Sequence, residues 1–184
     1  MAEPERHFFV ITGGPGAGKS TLLDHLAREG VACCPEAGRG IIQAQAAVGG
    51  PALPWRDRRL FAEMMLGWEM RSHEAARGLP GPVLFDRGVP DVIGYLRLEG
   101  LPVPDHLLRA AARLRYHRRV FVAPPWPAIY RQDAERRQDP ETARRTCDAM
   151  REAYAGLGYD LIDLPLAGVA ERAAFVRDAL GLRP

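Results

Sequence analysis

The 184-residue sequence contains no asparagine and a single lysine, Lys19; the other 24 of its 25 basic residues are arginine. A bias in base composition replaces lysine by arginine wherever a positive charge suffices, and the missing asparagine fits the same bias. One function class goes with these absences. Guanine-specific switches read their base through an N-K-x-D motif, which this sequence cannot contain. A strong charge of one sign is also lacking. The formal net charge of +2 is far from the basic excess of a dedicated nucleic-acid binder, so no nucleic-acid partner is expected. No apolar run is long enough to span a membrane, and the opening residues, MAEPERHFFVITG, lack the apolar core of a signal segment. Cysteine is scarce: Cys33, Cys34 and Cys147. An odd number, two of them adjacent and none at metal or redox spacing, points to reduced thiols in a cytoplasmic protein rather than to disulfides.

With 47% hydrophobic residues, the chain can bury a sizeable core. Its length suits one domain, residues 1–184, and leaves no room for the extra helical domain of ring-forming ATPases. Apolar stretches alternate with helical patterns. RHFFVITG, VACC, PVLFDRG, RRVFVAPP and YDLIDLP read as strands. KSTLLDHLAREG, GRGIIQAQAAVGG, PWRDRRLFAEMMLGWEMRSHEAARG, PDVIGYLRLEG, PDHLLRAAARL and VAERAAFVRDALG read as helices. In the long third helix, Leu60, Met64, Gly67 and Trp68 fall on one stripe, and Phe61, Met64, Met65 and Trp68 are expected in the core. The alternation predicts an α/β fold with a five-stranded parallel sheet and helices on both faces. An arginine-rich stretch between strands four and five, mostly helical and broken near Pro140, is expected to form a mobile lid over about residues 126–150.

The one retained lysine stands in Gly13-Gly14-Pro15-Gly16-Ala17-Gly18-Lys19-Ser20-Thr21. This matches the Walker A pattern G-x-x-x-x-G-K-[ST] between a strand and a helix, the context a phosphate-binding P-loop requires. Glycines let backbone N–H groups turn inward around a phosphate chain. The start of the next helix adds its dipole. A lysine ammonium is a compact charge on a thin stem, whereas the planar guanidinium of arginine is too wide for the same slot. Ser20 supplies a hydroxyl to a metal. Mg²⁺ and ATP are therefore the expected cofactors, with Gly13 to Thr21 the nucleotide-binding residues.

Further candidates follow the strand ends. Asp86 closes an apolar strand, where a carboxylate faces the ligand crevice; it suits either a Mg²⁺ partner beside Ser20 or a general base. Arg87 suits a contact to an acidic acceptor or an ion pair that holds Asp86. Asp57, in PWRDRR, suits either a polar acceptor contact or the acidic start of a helix. Arg131, Arg136 and Arg137 lie in the lid, where arginines stabilise the charge on a moving phosphoryl group and closure excludes water; Arg137 is assigned to catalysis, Arg131 and Arg136 to the nucleotide.

VITGGPGAGKSTLLDHL, CCPEAGRGII, the PW-x-D segment through FAEMML, LFDRGVPDVIGYL and IYRQDAERRQ together resemble the NadR-like AAA-domain family of small P-loop proteins. That family is related to ribosylnicotinamide kinase and, more distantly, to deoxynucleoside and nucleoside-monophosphate kinases. The resemblance spans nearly the whole chain and implies a kinase-like fold. In the related nucleoside kinases a carboxylate after the second strand approaches the acceptor hydroxyl, which makes Glu36 a second candidate base; Arg39, one turn on, is a candidate substrate clamp. The sequence leaves the base open between Glu36 and Asp86. It predicts a Mg²⁺–ATP-dependent kinase of a small nucleoside-like or polyhydroxylated metabolite, compatible with a homodimer. The alternatives are an ATPase module coupled to a partner protein and a non-catalytic nucleotide sensor.

Overall fold

A parallel five-stranded sheet in the order β2-β3-β1-β4-β5 forms the centre of the molecule. The computed structural model describes residues 7–129 and 140–182. The strands are β1 (Phe8–Gly13), β2 (Ala32–Cys34), β3 (Val83–Asp86), β4 (Arg119–Ala123) and β5 (Asp160–Asp163). The helices are α1 (Lys19–Arg28), α2 (Ala37–Val48), α3 (Arg58–Ala76), α4 (Val89–Leu98), α5 (Asp105–Arg113), α6 (Pro140–Gly156) and α7 (Val169–Ala179), with a short 3₁₀ turn at Pro127–Ile129.

Strand β1 is buried along its whole length, flanked by β3 and β4. Its side chains alternate between the two faces, as the pleat requires. Phe9 and Ile11 pack with Leu22 and Leu26 of α1 and Ala173 and Val176 of α7. Phe8 and Val10 pack on the opposite side with Phe85, Tyr116, Val120 and Tyr154. A third cluster joins α3, α4 and α5 through Leu66, Val92, Ile93, Leu96 and Leu107. Among the described residues no helix is long and apolar enough to cross a membrane. All three cysteines are free. Burial, and then the neighbouring Cys34, push the Cys33 thiol up to about 12.

Two expectations are corrected. The buried stripe of α3 runs through Phe61, Ala62, Leu66, Glu69, His73 and Ala76, displaced by one residue from the expected one. Leu60, Met64 and Trp68 are over a third exposed. Trp68 is not a core residue: its indole covers Gly40 of α2, where an added Cβ would lie 2.9 Å from the ring. The displacement has a physical cause: α3 faces an acid-lined cavity and the sheet edge, so a glutamate and a histidine occupy buried positions that a hydrophobic count passes over. The second correction concerns the lid. Residues 140–150 belong to α6, which buries Ala143, Thr146, Cys147 and Met150 and packs against α4 and β1; they form a wall of the site. Arg131, Arg136 and Arg137 lie outside the described residues.

Candidate active site

The C-terminal ends of β1 and β3 lie side by side, with Ile11 in register with Asp86. Chain leaving β1 forms the loop expected to hold phosphate. Gly13, Gly16 and Gly18 have φ of 128°, 71° and 75°, conformations that side-chain-bearing residues rarely adopt. Close approach adds a second demand. A Cβ at Gly13 would lie 2.3 Å from the Ala123 carbonyl oxygen, and one at Gly14 equally close to that of Ala143. Lys19, the first residue of α1, is buried and its Nζ donates to the Gly14 carbonyl at 2.7 Å. Ser20 and Thr21 are exposed in the same first turn. A glycine-built cradle, a helix start and a buried ammonium fit a polyphosphate.

Asp86, at the end of β3, is 4% exposed, and its Oδ1 is buried without a hydrogen-bond partner. Burial pushes its pKa up to about 6; Lys19 pulls it down, while Glu36 pushes it further up. A buried carboxylate oxygen without a donor, close enough to feel the P-loop lysine, suits a Mg²⁺ complex held with the Ser20 hydroxyl.

Next to it the chain turns at Arg87, whose φ of 77° is the one positive value among described non-glycine residues. This left-handed conformation costs a non-glycine residue roughly 1–2 kcal/mol, and surrounding bonds hold it. The Arg87 Nε donates to Glu36 Oε1 at 3.0 Å, and Nη1 donates to Asp91 Oδ1 at 3.0 Å. Arg87 therefore pairs with Glu36 and Asp91 rather than clamping Asp86. Burial would lower the pKa of the guanidinium, but the Glu36, Asp91 and Asp86 carboxylates outweigh that and raise it. Asp91 also accepts from the Thr12 hydroxyl (2.5 Å), the Gly88 amide (2.9 Å) and the Tyr154 hydroxyl (2.6 Å). One buried carboxylate thus joins β1, the β3–α4 turn, α4 and α6.

Beyond the Glu36–Arg87–Asp91 group opens a cavity of about 410 Å³. Pro15 of the P-loop and Glu36, at the start of α2, line one end. Helices α3 and α4 form its sides and run antiparallel. Glu69 feels the charge of Asp91; Phe61 meets Tyr95 edge-on at 5.5 Å; Arg58 pairs with Glu99 at 2.8 Å. Trp55 and Pro54 also line it, and Thr146 and Met150 of α6 complete the wall. Asp57 and Arg39 are not among the lining residues. Asp57 caps α3, accepting from the Leu60 amide at 3.0 Å, which is the helix-start role; Arg39 is half-buried on α2.

The sequence reading missed Glu69, Asp91 and Tyr95. Glu69 is buried; burial first, then the charges of Asp91 and Asp86, push its pKa well above the usual carboxylate range. It lines the cavity beside Asp91. The Tyr95 hydroxyl is buried without a hydrogen-bond partner. Glu69 carried a legible signal, standing four and eight residues after Met65 and Phe61 on one helix face; so did Asp91, four residues after Arg87. Among the described residues no group of His, Cys, Asp and Glu forms a metal cluster.

A family model described as an AAA domain matches residues 8–172. The chain belongs to this AAA-domain family. Solved structures agree on the fold. NadR in complex with NR superposes with a TM-score of 0.70 at 19% identity, covering 97% of this chain and 52% of that one. NadR with NAD and AMP-PNP gives 0.70 at 18%, over 97% of this chain and 51% of that one. Deoxyadenosine kinase from M. mycoides, with dCMP and dCDP bound, gives 0.67 at 16%, over 95% and 98%. The chain thus spans about half of NadR and nearly all of the deoxyadenosine kinase. No curated protein matches it. The AAA domain described here is a P-loop nucleotide-binding protein of kinase-like fold.

Proposed function

We propose that the chain is a Mg²⁺–ATP-dependent kinase of a small, hydroxylated and unphosphorylated metabolite. The observation that supports this is the cavity meeting the P-loop at Pro15, with Glu36 and Arg87 at the junction. A hydrolase needs room for water alone; a chamber of about 410 Å³ suits a second substrate. Its wall carries Glu36, Glu69, Asp91 and Glu99 against Arg58 and Arg87, and both arginines are already paired with acids. That excess of carboxyl groups disfavours an acceptor that already bears a phosphate.

Bound Mg²⁺–ATP supplies the γ-phosphoryl group and the charge neutralisation its transfer needs. Lys19 and the loop amides would hold the phosphates, while Ser20 and Asp86 would hold the metal. Glu36 lines the cavity, whereas Asp86 is buried outside its lining, so the acceptor proton is assigned to Glu36. Arg87 keeps that carboxylate in the wall through the 3.0 Å bond. Glu36 would accept the proton that the acceptor hydroxyl gives up. Arg131, Arg136 and Arg137 would supply positive charge to the moving phosphoryl group. Glu69 and the Tyr95 hydroxyl offer hydrogen bonds to polar groups of the acceptor inside apolar walls.

A metabolite panel read by ADP release with Mg²⁺ tests the proposal. A few hydroxylated, uncharged compounds should raise ADP formation, with the phosphate recovered on the compound. ADP release indifferent to every compound but accelerated by a protein would replace the kinase with a partner-coupled ATPase.

A further inference from the structure

Arg172, on α7, stands apart from the other buried charges. It is 3% exposed, yet its single hydrogen bond to a described residue runs from Nη1 to the Ala17 carbonyl, at 2.9 Å. Its Nε is buried without a partner. Among the described residues no carboxylate offsets the burial that lowers its pKa. Arg87, by contrast, is buried between two acids. A buried guanidinium without a counter-ion is costly and normally survives where something else supplies the charge.

Its place indicates what that is. Ala17 and Gly18 are the P-loop residues immediately before Lys19. A Cβ added at Gly18 would lie 2.9 Å from Arg172 Nη1, so the guanidinium lies against the loop backbone itself. The Trp126 ring stands 5.9 Å away on another side. In a trans peptide C=O and N–H point in opposite directions. Fixing the Ala17 carbonyl therefore fixes the direction of the Gly18 N–H, and donation to that carbonyl polarises the same peptide and strengthens its N–H as a donor.

We infer that Arg172 is a positioning residue for the nucleotide: it orients the Ala17–Gly18 peptide and holds in reserve a positive charge that a bound polyphosphate offsets. This rests on the P-loop reading but not on any acceptor or turnover. Its signature is an opposition between stability and affinity. Among the described residues no acid pairs with this charge in the ligand-free protein, so removing it is expected to cost little. With phosphate present the charge is needed.

The test uses the full chain with Mg²⁺–ADP as probe, titrated by calorimetry, and ligand-free Tm by calorimetric scanning. Arg172→Gln removes the charge but keeps an amide donor; Arg172→Lys keeps the charge. Arg172→Gln should bind Mg²⁺–ADP about tenfold more weakly, with ligand-free Tm unchanged or raised. Arg172→Lys should bind more tightly than Arg172→Gln. Wild-type affinity in Arg172→Gln overturns the inference. So does a ligand-free Tm several degrees lower in both variants, which marks a structural rivet. Failure of the wild-type chain to bind Mg²⁺–ADP would instead defeat the P-loop reading beneath it.

Discussion

The two ends of the site are made of different material. The phosphate end is built from backbone: three glycines at positive φ, two carbonyls too close for any Cβ, and a helix start. The end proposed for the acceptor is built from side chains drawn from α2, α3, α4 and α6, held by an ion-paired network around Asp91. A backbone site is specified by consecutive residues and tolerates one chemistry, polyphosphate. A side-chain site is specified by residues far apart in sequence and can change its ligand without changing the fold.

Substitutions at the acceptor end should leave nucleotide binding intact, and the first prediction tests that separation. Glu36→Gln is expected to lower kcat for the acceptor found by the panel by 10²–10⁴-fold, with Mg²⁺–nucleotide affinity unchanged by calorimetry. A parallel loss of nucleotide affinity would show that the two ends are not separable. Next comes the network. Asp91→Ala leaves Thr12, Tyr154 and the Gly88 amide without their shared acceptor and Arg87 with one acid. Breaking a buried pair of this kind costs about 3–5 kcal/mol, or a Tm lowered by roughly 10 °C in a chain of this size. A drop of only a degree or two would remove Asp91 as the joint of the acceptor end.

The third effect is smaller and depends on pH. The pKa of Asp86 is raised in the folded protein, to about 6, above its value of roughly 3.9 in the unfolded chain. Between those values the folded state keeps a proton that the unfolded state has released. Stability is therefore greatest below about pH 4 for this group and is lost as pH rises toward 6. Asparagine cannot ionise. Ligand-free Asp86→Asn should thus be more stable than wild type at pH 8 by about 2–3 kcal/mol, with the advantage gone near pH 4, as read by denaturant unfolding at the two pH values. An advantage that is equal at both pH values would deny Asp86 its buried charge. Tyr95→Phe should change least: no loss of Tm, because its hydroxyl has no protein partner, and a several-fold rise in acceptor KM.

Legibility followed the same divide. The P-loop could be read whole because its geometry is written in adjacent residues, and the lone lysine marked the one place where arginine could not substitute. The parallel sheet followed from the alternation of strand and helix. Asp86 was singled out because strand ends in such a sheet face the crevice, and Glu36 by the resemblance to nucleoside kinases. Glu69 was passed over although it shares the helix face of Phe61 and Met65, because a buried acid inside α3 interrupts the hydrophobic stripe used to find that face, and its purpose appears only when α4 lies opposite. Arg172 lies 155 positions from Ala17, and nothing local in VAERAAFVRDALG distinguishes it from a solvated arginine. The retained lysine was more informative than the many arginines because composition bias made it rare.

The most direct measurement is calorimetric titration of the full chain with Mg²⁺–AMP-PNP, beside Lys19→Ala. The wild-type chain should bind one equivalent, and the variant should remain folded with affinity lower by roughly 100-fold. Equal affinity in the two proteins, or no binding by either, would contradict the assignment of residues 13–20 to the polyphosphate.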